Sequence, residues 1–168
     1  GWSIFIVFMF LVAVSKCVES MGGSKLSQTH PYIAIIMNDG TASEIRNLAS
    51  KGHNVDKPFR IRTTEALKVL NDVTTLGRLI DESILSESQA ETIEGMKEEF
   101  AADFSDVKFL TYTPLCIALV KGNFELIDAL LIAGADPNWH DDNGSATHLC
   151  CMWSKNHAVV PLLLRFGA

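Results

Sequence analysis

Apolar residues recur along the chain with the spacing of short amphipathic helices. One helix face is formed by Ile33, Ile36 and Met37, and a second by Ile45, Leu48 and Ala49. The turn signal Asn38-Asp39-Gly40 separates the two faces, and Gly52 follows the second face where a helix C-cap belongs. The pattern predicts two short antiparallel helices between residues 32 and 52, at about 33–37 and 43–51.

The same arrangement returns after residue 112. Thr113-Pro114 begins a helix, with threonine as the N-cap and proline at the first helical position. Gly122-Asn123 breaks this helix, a second apolar face follows, and Gly134 ends the second helix. We expect helices at about 114–121 and 124–133. Five of their residues should be buried: Leu115, Ala118, Leu126, Leu130 and Leu131.

The chain also repeats itself at a fixed interval. A shift of 33 residues places Leu130-Leu131 on Leu163-Leu164 and Gly134-Ala135 on Gly167-Ala168. A period between 20 and 50 residues is typical of solenoid proteins. Each unit of a solenoid buries its apolar face only by stacking on its neighbours, so the repetition predicts a stack of helix–turn–helix units.

Residues 113–138 closely resemble the ankyrin repeat. They run Thr-Pro-Leu-Cys-Ile-Ala at the start, Gly-Asn-Phe-Glu at the middle turn and Leu-Leu-Ile-Ala-Gly-Ala-Asp-Pro-Asn at the end. The family pattern begins Thr-Pro-Leu-His, so Cys116 stands where histidine is usual. The resemblance implies an all-α fold, an ankyrin-repeat solenoid of stacked helix–turn–helix units with little strand. It also implies fingers, the loops that project between units beside the concave face.

Weaker units flank this one. Residues 32–56 match the repeat moderately. Residues 113–168 are expected to be ankyrin repeats truncated at the C-terminus, and their last unit begins at residue 146 with a degraded start. That last unit predicts helices at about 147–154 and 157–165. Pro161 would lie inside the second of these, where a proline kinks the helix or costs about 3 kcal/mol.

The middle of the chain must hold an insertion or a damaged repeat. Gly40 and Gly122 are 82 residues apart, which is not a multiple of 33. We interpret residues 32–80 as a repeat region with one moderate and one degenerate repeat, and residues 81–112 as an acidic helical insertion. Within this insertion, residues 88–100 have the pattern of an amphipathic helix with a solvated acidic face.

The first twenty residues differ from the rest. The stretch from Trp2 to Val14 is almost wholly apolar, but as a helix it would be about 20 Å long, too short for a hydrocarbon core of about 30 Å. Residues 1–20 therefore fit a signal peptide, a truncated membrane anchor, or an extension upstream of Met21 that is not part of the native product. A signal peptide would mean secretion, the alternative is a cytoplasmic protein, and only an anchor would contact a membrane. Residues 21–31 are short and polar, which predicts a linker.

The composition of the chain excludes some classes of function. Hydrophobic residues make up 48% of the chain, which is enough for a sizeable core. The net charge of −6 argues against a nucleic-acid partner, because nucleic-acid binding normally requires a basic face. The acidity is concentrated in residues 81–103, which hold eight acidic residues and one lysine, so the rest of the chain carries about +1.

The pattern does not indicate a catalytic or metal site. Metal-ligand residue types cluster at His148, Cys150, Cys151 and His157. This cluster lacks the two separated pairs of a zinc site, and adjacent cysteines on a helix point about 100° apart. The cysteines also lack the base and oxyanion arrangement of a nucleophile. We therefore predict no enzyme activity, no cofactor, no metal and no small-molecule substrate.

The finger that follows the second unit is the best candidate for binding. It carries an aromatic residue, a titratable group and two acids: Trp139, His140, Asp141 and Asp142. Trp139 would either anchor a partner or pack on a neighbouring finger. We expect a protein–protein interaction scaffold that uses the fingers and the concave helix face, including the exposed face of the helix that begins at Thr113. The alternative is a regulatory or targeting region of a larger protein, such as an enzyme, a channel or a secreted toxin-like protein.

Overall fold

The computed structural model describes residues 23–62, 108–140 and 158–168, together with scattered positions between 64 and 98. By internal contacts, the chain divides into Gly1–Ser20 with Arg60–Leu110 and Met21–Phe59 with Thr111–Ala168. The helices α1 to α6 defined below all belong to the second of these parts. The fold is all-α, as expected, with two four-residue strands among the described residues.

The first repeat unit consists of α2 (Pro31–Met37) and α3 (Ala42–Ser50). A capping box fixes the start of α3. The Glu44 N–H donates to Thr41 Oγ1 over 3.3 Å, and the Thr41 N–H donates to Glu44 Oε1 over 3.1 Å. Both helices expected between residues 32 and 52 are confirmed.

A further helix, α1 (Gly23–Thr29), precedes this unit and packs on α2. Its Leu26 side chain is 1% exposed, whereas Lys25, Ser27 and Gln28 are exposed. The linker expected over residues 21–31 is therefore wrong. A single leucine gives this otherwise polar segment enough apolar surface to dock, and a short polar sequence does not reveal that docking.

The second repeat unit consists of α4 (Pro114–Lys121) and α5 (Phe124–Ile132). The Thr113 hydroxyl accepts the Cys116 N–H over 3.3 Å and so caps α4, and Asn123 caps α5 in the same way. Both helices match their expected bounds within one residue. All five residues expected in the core are buried: Leu115, Ala118, Leu126, Leu130 and Leu131.

The third repeat unit ends in α6 (Val159–Arg165). This helix begins two residues later than expected, which places Pro161 in its first turn. The N–H groups of a first turn have no intrahelical acceptor, so this proline removes no hydrogen bond from the helix and the penalty expected there is wrong. The helix expected at 147–154 lies outside the described residues.

All three repeat units end in the same backbone motif. Gly52, Gly134 and Gly167 have φ of +84°, +100° and +92°, the left-handed conformation that glycine adopts without strain. In each unit the glycine N–H donates to the carbonyl three residues back, and the next N–H donates to the carbonyl five residues back, over 3.0 to 3.3 Å. This is a Schellman motif, and its recurrence confirms the 33-residue interval between the second and third units.

The repeat units stack directly on one another. α2 packs on α4, α3 packs on α5, and α5 packs on α6. Across the first of these contacts, Lys121 Nζ donates to the Ile36 carbonyl over 3.1 Å and pairs with Asp39 over 3.3 Å. Gly52 and Gly134 end adjacent units but lie 82 residues apart, about 49 more than one ankyrin period of 33.

Most of the residues in excess of one repeat period lie in sequence between two short strands. β1 (Phe59–Arg62) and β2 (Phe109–Tyr112) pair in a two-stranded sheet. The helical insertion expected over residues 81–112 is therefore wrong at its end, because residues 109–112 pair as a strand. The rest of that insertion, the degenerate repeat before it and residues 1–20 lie largely outside the described residues. Within the expected amphipathic helix, the described positions are helical and exposed: 88, 91, 94, 95 and 98. This agrees with a solvated acidic face.

Candidate partner-binding surface

The finger after α5 begins with a tightly bonded base. The Asn138 N–H donates to Asp136 Oδ1 over 2.9 Å, which closes a local turn. The Asp136 N–H donates to Asp56 Oδ1 over 3.0 Å, and Asn138 Nδ2 donates to the Gly167 carbonyl over 3.0 Å. The base of the finger is therefore tied to the unit before it and to the unit after it.

Opposing effects act on the pKa of Asp56, the residue that links the finger to the first repeat unit. Burial raises the pKa of the Asp56 carboxyl, the hydrogen bond from the Asp136 N–H lowers it, and the Asp136 charge raises it again. The hydrogen bond favours the charged form of Asp56, and burial disfavours it. The link between the two units thus uses a carboxylate that is half-buried and already satisfied by a backbone donor.

Two of the four predicted finger residues are described. Trp139 is half-buried, so its indole is partly packed and partly open to solvent. His140 is exposed, and its Nδ1 atom lies 3.4 Å from the Asn138 carbonyl. Asp141 and Asp142 lie outside the described residues. The described part of the finger thus carries an aromatic and an imidazole at consecutive positions beyond the bonded base.

The face of α4 that was predicted to take part in partner binding is not exposed. Every residue of α4 from Pro114 to Val120 is buried, including Ile117 at 1% exposure and Val120 at 3%. The expected exposed face on the helix that begins at Thr113 is therefore wrong. α4 is apolar all round, and a helix with this pattern is buried on every side.

A small cavity of about 70 Å³ lies beside the start of α2. The turn before α2 and the loop at 53–57 form most of its lining. The Tyr32 hydroxyl donates to the His53 carbonyl over 3.0 Å, and Lys57 Nζ donates to the Thr29 carbonyl, so the loop is held against the turn. The cavity has room for a few water-sized groups only.

His30 contributes a buried nitrogen to the wall of this cavity. Its ring packs edge-on against Phe59 with the centroids 5.0 Å apart, and its Nδ1 atom has no hydrogen-bond partner among the described residues. Burial lowers the pKa of His30, and the nearby Lys57 ammonium lowers it further. Sequence reasoning missed this residue, because a histidine in a short polar segment gives no signal of burial.

We expect the free energy of unfolding to decrease as the pH falls below the usual histidine range. The folded state lowers the pKa of His30 below its unfolded value of about 6.5, so in this window the unfolded chain binds a proton that the folded chain does not. Stability is therefore complete above about pH 6.5 and is lost as the pH falls toward the folded pKa. Urea unfolding at about pH 7.5 and 5.5 measures the loss. His30→Gln should lose less over the same interval, and an equal loss would contradict the assignment to His30.

The helix–turn–helix stack and its finger agree with the comparison with protein families. The family model described as Ankyrin repeat matches residues 112–143, which contain the second repeat unit and the finger after it. Residues 112–143 of this chain are thus an ankyrin repeat. Comparisons with curated proteins and with solved structures gave no match.

Ankyrin repeats are in general protein–protein interaction modules that bind protein partners. The matched segment includes Trp139, His140, Asp141 and Asp142. Within the described ranges, no three side chains are placed to hold a metal ion, and no helix is long and apolar enough to cross a membrane. Cys116 is buried. The cysteine and histidine cluster at residues 148–157, where the sequence predicts no metal site, lies outside the described residues.

Proposed function

We propose that this ankyrin-repeat protein is a scaffold that binds a protein partner through the finger after its second repeat unit and catalyses no reaction itself. The observation that carries the proposal is the anchored finger. Asp136 and Asn138 tie its base to both neighbouring units, while Trp139 and His140 beyond the base remain at least partly exposed. A fixed base reduces the conformational entropy that is lost when a partner binds.

Each finger residue has a distinct role in this proposal. The packed part of Trp139 holds the indole in one orientation, and its open part anchors the partner. We assign the polar rim of the interface to the three residues that follow this anchor in sequence, His140, Asp141 and Asp142. Because the rim is acidic, we expect a partner with a basic patch and an association that weakens with added salt. α4 takes no part in partner binding in this proposal, because its residues are already buried within the stack.

Trp139→Ala should weaken capture of the partner by at least about tenfold, because an aromatic anchor at the centre of an interface carries much of the binding energy. The measurement is quantitative mass spectrometry of the proteins retained by the immobilised chain. Phe124→Ala is the matched control, since Phe124 is an aromatic residue 40% exposed at the start of α5, outside the finger. If the two substitutions reduce the capture of a retained protein equally, or if neither reduces it, that protein is not bound through the finger.

Charge is tested in a second arm of the same experiment. Asp142→Lys should reduce capture at low salt and flatten its dependence on ionic strength, because the substitution replaces an attractive rim charge by a repulsive one. If neither Trp139→Ala nor Asp142→Lys weakens capture, the binding face lies elsewhere. The acidic segment at residues 88–100 then becomes the next candidate.

A further inference from the structure

The pair of strands β1 and β2 carries a basic cluster. Arg60 and Arg62 lie on β1, Lys108 directly precedes β2, and all three residues are exposed. Among the described residues, no carboxylate forms a salt bridge with any of them. Three exposed cations on eight strand residues and their neighbour contrast with the net charge of −6 of the whole chain, and neither the helical stack nor the finger accounts for them.

The two faces of the strand pair differ in exposure. Successive side chains of a strand point to opposite faces. Phe59 and Tyr112 are 3% and 1% exposed, so the face that they share is covered. The guanidinium carbon of Arg60 lies 6.0 Å from the centroid of the Phe109 ring, which puts these two residues together on the other face. Arg62, two positions along β1, shares that face with Arg60. We call Arg60, Arg62 and Phe109 the outer face.

One edge of β1 is paired, and the other is open to a further strand. The sheet consists of β1 and β2 within the described part of the chain, so β1 has a strand on one side only there. A strand edge presents backbone N–H and C=O groups to which an extended peptide can add. Arg60 and Arg62 accompany this edge on the outer face, about 6.6 Å apart at 3.3 Å per residue. The edge therefore suits a strand whose side chains complement two positive charges at that spacing.

We propose that the open edge of β1 is a second binding site, different in its residues from the finger, and that it binds an extended acidic peptide of a partner protein as a third strand. Acidic residues at positions i and i+2 of the peptide then lie across from Arg60 and Arg62, because alternate side chains of a strand share a face. A guanidinium binds a carboxylate through two parallel N–H donors. Arg60 is already held over the Phe109 ring, so its side chain loses less freedom when it pairs.

Charge disfavours a second copy of this chain at the edge. A copy that paired through its own β1 would place its arginines beside Arg60 and Arg62. Like charges opposite each other destabilise a strand pair, and charged edge residues prevent such self-association in natural sheets. The same two arginines attract a strand of opposite charge, so they select an acidic partner over a second copy.

The acidic segment of this chain has the wrong spacing for the edge. Its described acidic positions are helical and exposed: Glu87, Glu91, Glu94 and Glu98. Carboxylates on a helix are spaced three or four residues apart on one side, whereas the strand edge requires a spacing of two. An extended peptide from a separate protein supplies that spacing without first unfolding a helix.

The test measures binding of a fluorescent peptide to the full chain by fluorescence anisotropy. The peptide has blocked termini, glutamate at three alternate positions, and valine or threonine elsewhere. The control peptide has the same composition with its three glutamates adjacent. We expect the alternating peptide to bind at least about tenfold more tightly at low salt, because only its glutamates match both arginines. Methylation of alternate backbone nitrogens in the peptide should abolish binding, since strand addition uses main-chain hydrogen bonds.

Variants of the chain locate the contact. Arg62→Glu should weaken binding of the alternating peptide by at least about tenfold, and a peptide with lysine in place of one glutamate should regain affinity for this variant. Arg46→Glu is the matched control, because Arg46 is an exposed arginine of α3 and its substitution changes the charge of the chain equally. This control should change the affinity by no more than about twofold. Trp139→Ala should leave peptide binding unchanged, which separates this site from the finger.

Four outcomes would overturn the proposal. Equal affinity for the alternating and control peptides, or equal losses in Arg62→Glu and Arg46→Glu, would mean that only the overall charge attracts the peptide. Tighter binding of a single-stranded DNA oligonucleotide of the same charge would assign the basic cluster to a nucleic acid. Binding that appears only when Glu91, Glu94 and Glu98 are all replaced by glutamine would make the acidic segment of this chain the occupant of the edge.

Discussion

Leu130→Ala is expected to lower the free energy of unfolding by about 2–5 kcal/mol. Leu130 is 0% exposed, and it lies on α5, the helix that packs against α3, α4 and α6. Truncation removes buried apolar surface and leaves a cavity that three neighbouring helices can close only in part. Urea unfolding monitored by circular dichroism measures the effect.

The matched control lies two residues further along the same helix. Ile132 is 63% exposed, so Ile132→Ala removes a side chain of the same size from the solvent side and should change the free energy of unfolding by no more than about 0.5 kcal/mol. Leucine and isoleucine differ in helix propensity by only a few tenths of a kcal/mol, so the difference between the two variants mainly reports burial. Equal losses in the two variants would mean that the orientation of α5 is wrong.

Thr113→Val is expected to cost about 1–3 kcal/mol, although valine has nearly the same shape and is more apolar. Thr113 is 0% exposed, and its hydroxyl caps α4 by accepting the Cys116 N–H over 3.3 Å. Valine removes that acceptor and leaves a backbone donor at a buried helix start with one partner fewer. Thermal and urea unfolding of the purified variant measure the loss.

Thr113→Ser separates the hydrogen bond from the packing. Serine keeps the hydroxyl and loses only a methyl group, so this variant should retain most of the stability that Thr113→Val loses. If serine proved as destabilising as valine, the contribution of Thr113 would come from its methyl contacts and not from the cap. The comparison matters for the fold because Thr113 begins the unit that the ankyrin family model matches.

The sequence predicted most of the helical stack because the signals are local. Thr41, Thr113 and Asn123 cap helices, and Gly52 and Gly134 end them, through hydrogen bonds to residues at most five positions away. Such interactions act within one turn of backbone and are readable from residue order alone. The buried set on α5 could be predicted for a similar reason, since its spacing follows the helical period.

Other features were missed because they depend on partners far along the chain. α1 was taken for a linker, since the docking of Leu26 on α2 is a tertiary contact. The strands β1 and β2 were also missed, because four residues are too few for a pattern and the pairing joins segments almost fifty residues apart. The buried face of α4 could have been predicted, since Pro114 to Val120 is apolar on every side.

For the candidate binding residues as well, the sequence predicted their place in the chain, and the tertiary structure decided their surroundings. Trp139 and His140 could be placed in a finger because turn signals and the repeat surround them, but their exposure depends on how the base is held. Asp56 and Gly167, which hold that base, lie 80 and 29 residues from their partners Asp136 and Asn138. No local pattern connects such positions, so only the tertiary structure decided how the base of the finger is anchored.

By itself, then, the sequence determined the repeat, its 33-residue interval, the helix ends and the apolar stripe of each helix, because capping, turn chemistry and hydrophobic period act between near neighbours. The tertiary structure decided which apolar residues are covered. Ile127 and Val160 hold equivalent positions and are both apolar, yet they are 0% and 45% exposed. The difference arises because α6 stacks on α5, whereas the described residues place no further helix on α6, and burial is a property of the neighbour as well as of the residue.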